Sequence, residues 1–178
     1  MAIKEIIQLG NPVIRKKSRK LTDKEIKSNK TKTIIKNMID SMRYYNLVGI
    51  SAPQINHNVR VLITEIRKTK NRNTKELDDL RIFINPQIIF FSKEKVKGYE
   101  GCGSVANSNL FGLVNRPKKI IVKSQDINGN WFELKASGLL GRVIQHEYDH
   151  LNGILFIDKV SDTKSYMSGD EYIKRFRK

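Results

Sequence analysis

The stretch Gln145-His146-Glu147-Tyr148-Asp149-His150 constrains this chain more than any other. Two histidines four residues apart return to one face of a helix, because a helix repeats every 3.6 residues. Both imidazoles can then address a single divalent ion, with Glu147 beside its remaining open position. Such a site activates water.

A chain of 178 residues supports one buried core and is short for two domains. One catalytic domain over 1–178 is expected, ending in a basic segment of about 162–178. No apolar run approaches the roughly 20 residues needed to cross a bilayer, and Met1-Ala2-Ile3-Lys4 leads into charged sequence. A soluble cytoplasmic monomer without membrane contact is therefore expected. Cys102 is the only cysteine, so an intramolecular disulfide is excluded and its thiol is free for other chemistry. The net charge of +16 attracts phosphate in general. No zinc-finger spacing, aromatic RNA-binding signature or basic heptad region accompanies it, which argues against sequence-specific nucleic-acid binding. Generic surface charge, with contact to the ribosome through the basic surface, fits this pattern.

Ile34, Ile35, Met38, Ile39, Met42 and Tyr45 recur at spacings of three and four, predicting an amphipathic helix over 30–45. Val59 to Ile66 alternates as a strand. Arg81 to Phe91 is β-rich but interrupted by Asn85-Pro86, predicting an edge strand or two short ones. Between them, 68–79 has little to bury and reads as an exposed loop with an insertion or disorder. Lys118 to Lys123 and Trp131 to Lys135 flank Asn128-Gly129-Asn130, a hairpin signal. The metal helix is expected over 138–152, ended by Gly153, with another helix near 170–176. Strands preceding a core helix indicate an α+β fold.

A catalytic zinc-like site needs three protein ligands, and one helix supplies two. Position 156 is Phe156, so a third histidine six residues after His150 is excluded. Glu171 lies at a distance suited to a zinc endopeptidase, though in a polar tail. Upstream, Glu100-Gly101-Cys102-Gly103-Ser104 carries the sole thiol in a glycine-flanked turn and is the stronger candidate.

Three ordered motifs resemble one family, the peptide deformylases: Gly49-Ile50-Ser51-Ala52-Pro53-Gln54, Glu100 to Ser104, and Gln145 to His150 with Leu151 to Phe156 after it. The likeness starts at Ile6 to Lys16 and runs through Asn85-Pro86 and the Asn128-Gly129 hairpin. It implies antiparallel β-sheets packed around a central metal-binding helix, and a metal-dependent hydrolase that removes the formyl group from N-formylmethionyl nascent chains. It also implies that Cys102, His146 and His150 hold one divalent ion, ferrous iron in cells, with zinc, nickel or cobalt also suited to the same donors. Glu147 would act as general acid and base on metal-activated water, and Gln54 with the N–H of Gly103 would stabilise the oxyanion. Val48, Leu139 and Val143 would line a methionine pocket. The strand edges at Gly49, Ile50, Tyr99, Glu100 and Gly101 would pair with substrate backbone.

The chain departs from the common pattern at Leu47, where glycine usually stands, and at Gly103, where leucine does. Leu47 is expected to restrict the backbone there and Gly103 to loosen it. The 106–115 stretch also lacks an arginine common in relatives, with Arg116 as substitute. Two other classes compete: the endopeptidase using Glu171, and a noncatalytic basic ribosome- or RNA-binding protein with a degenerate site.

Overall fold

The apolar stripe of the first long helix finds its partner in a sheet. In the computed structural model, residues 3–68 and 74–176 are described. A short helix α1 (Asp23–Ile26), closed by a reciprocal Thr22/Glu25 capping box, leads into α2 (Asn29–Tyr44). The Ser28 hydroxyl accepts from Thr31 N–H to start α2, and Ile34, Ile35, Met38 and Met42 are buried along it. They pack with Ile50, Val61, Ile63 and Ile84 of the strands beneath.

Five strands form one antiparallel sheet in the order β1 (Gly49–Ser51), β2 (Val61–Ile66), β3 (Asp78–Phe91), β6 (Lys119–Gln125), β7 (Trp131–Ser137). A second sheet orders β4 (Lys95–Gly101), β5 (Leu110–Pro117) and β8 (Met167–Ser168). Helix α3 (Gly138–His150) follows β7 directly, and α4 (Gly169–Phe176) follows β8. The architecture is antiparallel sheets with helices, as the order of elements implied. Among the described residues, no helix is long and apolar enough to cross a membrane.

The reading of 81–91 as an edge strand or two short ones is corrected: β3 is one strand and the middle member of its sheet. Proline cannot donate to a ladder, but the pairing with β6 shifts between Ile84 and Gln87, so Pro86 falls in a bulge. Asn85 takes φ +52 there, and its amide bonds both the N–H and the C=O of Leu21 at 2.8 Å. The same amide nitrogen donates to Gln125 Oε1 of β6 at 2.9 Å, so the side chain ties the bulge both to the N-terminal segment and to the neighbouring strand.

The 68–79 loop expectation falls partly on 69–73, outside the described residues; from Asp78 onward the chain is already in β3. The hairpin forms between β6 and β7, with Gly129 at φ +86 and Asp126 accepting from the N–H groups of Asn128 and Asn130. Helix α3 packs on β1, β2, β6 and β7, burying Ile144 completely beside Leu62, Phe83, Ile120 and Val122. Truncating Ile144 to alanine would cost about 2–5 kcal/mol.

Candidate active site

Helix α3 meets the sheet at unusually close range. A Cβ on Gly49 would lie 2.5 Å from Val143 Cγ1 and 2.8 Å from Glu147 Oε1, so only glycine lets β1 sit against this helix. At the other end Gly153 (φ +72) turns the chain where a Cβ would lie 2.2 Å from Arg15 O. The N-terminus of α3 is held by Glu76, whose carboxylate accepts from Leu139 N–H at 2.8 Å.

One turn apart, the His146 and His150 rings have centroids 5.0 Å apart. The second sheet delivers the sulfur: Cys102, one residue beyond β4, places Sγ 3.2 Å from His150 Nε2. One ligand atom from each of Cys102, His146 and His150 falls within 4.8 Å of the others. Cys102 and His150 are buried, and His146 is 11% exposed. A thiol and two imidazoles packed this closely, facing inward, match the donor set of a mononuclear transition-metal site. Glu171 is not among them; it is a partly exposed residue of α4 paired with Arg175 at 2.7 Å. That removes the structural basis of the endopeptidase alternative.

Glu147 is buried, and its Oε2 has no hydrogen-bond partner. Burial pushes its carboxyl up to about 7, only partly opposed by His146. A carboxyl titrating near neutrality can both take and return a proton. Gln54, almost fully buried, has its Oε1 fixed by Ser51 N–H at 2.8 Å and Ser51 Oγ at 3.0 Å. Its amide nitrogen is therefore turned towards Cys102 Sγ (3.7 Å) and Ser104 Oγ (3.4 Å).

These groups face a cleft of about 500 Å³ lined by Tyr45, Leu47, Val48, Gly49, Gln54, Tyr99, Glu100, Gly101, Cys102, Gly103, Leu139, Val143, His146 and Glu147. Both β1 and β4 are outer strands of their sheets. Ile50 is fully buried, and strand alternation turns its side chain away from the cleft into the α2 core, so a substrate contact there would be through its backbone. Glu100 lines the cleft, but its carboxylate is turned away from any substrate. Its carboxylate is occupied by Arg116 Nε (2.7 Å) and Nη2 (2.8 Å), Arg142 Nη1 (2.8 Å) and His146 Nδ1 (2.9 Å). Burial works against its charge, yet Arg116 and His146 hold the carboxyl well below its usual range.

Arg116 does not replace a substrate arginine, since it is buried and binds Asp149 at 2.5 Å as well as Glu100. Nor does Leu47 strain the backbone, because the left-handed residue there is Asn46 (φ +56). A Cβ on Gly103 would lie 3.3 Å from Leu47 Cδ1, so Leu47 occupies the side-chain space that Gly103 leaves. Sequence reasoning missed Asn107–Asn109 and the α4 residues Tyr172 and Ile173, which complete the cleft wall. Tyr172 stacks on Phe111 at 4.1 Å and meets Tyr99 edge-on. Nothing local marks residues of a polar tail as cleft lining.

A water-activating donor set and a buried carboxyl between two antiparallel sheets define a metallohydrolase class. The family model for polypeptide deformylase matches residues 3–166, and the chain belongs to that family. Peptide deformylase of Dictyoglomus thermophilum is 36% identical over 157 residues, covering 88% of this chain and 92% of the relative. That of Natranaerobius thermophilus is 35% identical over 162 residues, covering 91% and 95%. Among solved structures, Met-Ala-Ser-bound class I type b peptide deformylase from Acinetobacter baumannii superposes with TM-score 0.83 at 31% identity, covering 89% of this chain and 99% of that one. Peptide deformylase from Thermotoga maritima gives 0.77 at 34% identity, covering 91% and 100%.

Proposed function

We propose that this chain is a metal-dependent hydrolase that removes the formyl group from the N-formylmethionine of nascent polypeptides. The observation that carries the reading is the 3.2 Å approach of Cys102 Sγ to His150 Nε2, beside His146 and the buried Glu147. Cys102, His146 and His150 would hold one divalent ion, with α3 as the helix around which the two sheets close. Bound there, the ion supplies Lewis-acid activation of water and of the formyl carbonyl. Ferrous iron is our assignment, and zinc, nickel and cobalt suit the same donors.

Glu147 accepts the proton of the attacking water and passes it to the departing amine as the C–N bond of the formamide breaks, releasing formate and a free N-terminus. Gln54 Nε2 and Gly103 N–H donate to the oxygen that gains charge, each contributing about 3 kcal/mol to the transition state. Val48, Leu139 and Val143 offer an apolar pocket for methionine. The outer edges of β1 at Gly49 and β4 at Tyr99 to Gly101 pair with the peptide backbone as an added strand. Tyr172 and Ile173 form the wall that faces residues beyond the methionine. We further read a single catalytic domain, monomeric and cytoplasmic, whose basic surface, including 162–178, contacts the ribosome.

Formate release from formyl-Met-Ala-Ser, measured anaerobically with defined metals against an acetylated control, tests this function. The expected result is turnover of the formyl peptide only, abolished by chelation and reduced about 10²–10⁴-fold in Glu147→Gln. Full activity in the chelated protein or in Glu147→Gln would refute it.

A further inference from the structure

We infer that Gln8 is a positioning residue for the oxyanion side of the active site, acting through Gly103 and the cleft rim that follows it. The inference rests on the proposed role of the Gly103 N–H. The extended N-terminal segment runs between the two loops that carry the proposed oxyanion donors. Ile7 N–H donates to Gln54 O at 2.9 Å, and Leu9 N–H to Ser104 O at 2.7 Å. Between these ties the Gln8 side chain turns inward. Its amide nitrogen donates to Gly103 O at 2.8 Å and Ile6 O at 3.1 Å, and its Oε1 accepts Asn107 N–H at 3.0 Å.

Gly103 has no side chain of its own to anchor it, so the bond to its carbonyl fixes the peptide that links it to Ser104 and, through the Gly103 Cα, restrains the rotation of the preceding Cys102-Gly103 peptide that carries the N–H. The rim beyond carries a second demand. Ala106, Asn107 and Ser108 are three consecutive non-glycine residues in the left-handed region, at φ +49, +50 and +67. Such residues persist only where surrounding contacts over-determine them, and the Gln8 bond to Asn107 is one such contact. The rim then reaches α4: Asn109 accepts Gly169 N–H through its Oδ1 at 3.0 Å and its backbone O at 3.2 Å. One half-buried amide, about 95 residues from its partners, thus ties the Cys102-Gly103 turn to the wall that bears Tyr172.

Steady-state kinetics on formyl-Met-Ala-Ser with iron-loaded protein tests this. Gln8→Leu fills the same volume without hydrogen bonds; Gln8→Glu keeps the acceptor for Asn107 but turns a carboxylate oxygen against Gly103 O. Because a misplacement of about 1 Å costs about 10²-fold, both variants are expected to lose about 10–100-fold in kcat while retaining one metal per chain and unfolding in a single cooperative transition at a modestly lowered midpoint. Gly103→Pro removes the N–H, and adding Gln8→Leu to it is expected to slow it no further, since both act on one group. Gln8→Leu with kcat within twofold of wild type, or a double variant whose losses multiply, would overturn the inference. If Gly103→Pro retains metal and the wild-type kcat, the oxyanion reading itself fails and takes this one with it. A slow Gly103→Pro beside fast Gln8 variants sinks this inference alone.

Discussion

Glu100 Oε2 lies 2.9 Å from His146 Nδ1 while Arg116 clasps the same carboxylate from the other side. The carboxylate thereby aims the other ring nitrogen of His146 towards Cys102 and His150. Glu100→Gln is expected to weaken metal binding about 10–100-fold, as loss of a partner behind a ligating imidazole typically does. It also leaves Arg116 and Arg142 with one fewer carboxylate between them, so stability should drop by up to about 3–5 kcal/mol. Metal retention against a competing chelator and urea unfolding measure the two effects. Unchanged metal affinity would contradict the assignment.

The Leu47 and Gly103 side-chain space is shared. Gly103→Leu alone should overpack it and cost about 1–3 kcal/mol. Combined with Leu47→Gly, much of that loss should return, giving a coupling visible in a double-mutant cycle by urea unfolding. Strict additivity would show that the two side chains do not compete.

Tyr172→Ala removes a ring stacked at 4.1 Å on Phe111. The same ring lines the cleft, and loss of a contact of about 0.5–1.5 kcal/mol between it and the bound peptide is expected to raise KM for formyl-Met-Ala-Ser about 2- to 12-fold with kcat unchanged. Glu171→Ala, in the same helix, should alter neither KM nor metal content. A fall in kcat with unaltered KM in Tyr172→Ala would place α4 outside substrate binding.

Asp158 pairs with Arg15 and accepts Leu155 N–H at 2.8 Å, bracing the chain just past α3. Burial works against its charge, yet these partners hold its carboxyl below the usual carboxylate range. A depressed folded pKa means that its contribution is present above the unfolded value of about 4 and is lost as pH falls through the folded one. The Tm gap between wild type and Asp158→Asn, followed from pH 7 to pH 2, should therefore close at the acid end. A gap that widens below pH 4 would reverse the sign.

The α2 stripe, the hairpin at Asn128-Gly129-Asn130 and the helix bearing both histidines were legible because each depends on neighbours within a few residues. Asn85-Pro86 misled because the groups that hold the bulge through the Asn85 side chain, Leu21 and Gln125, lie 64 and 40 positions away. The Ile50 side chain is placed by the fold in another way. Its motif lines the cleft through Gly49, and alternation sends the next side chain to the opposite face. Arg116, Gln8 and Tyr172 had no local signal, since each takes its role from an element that meets it only in the folded chain.

By itself the sequence determined a helix that sets two imidazoles and a carboxyl on successive turns, because periodicity and end signals act over a few residues. Tertiary structure alone decided that the Cys102 sulfur, 48 positions upstream, arrives beside His150. It also decided that a buried Arg116–Glu100 pair stands behind His146. Those meetings follow from burying two sheets and a helix against one another, a condition set by the whole chain.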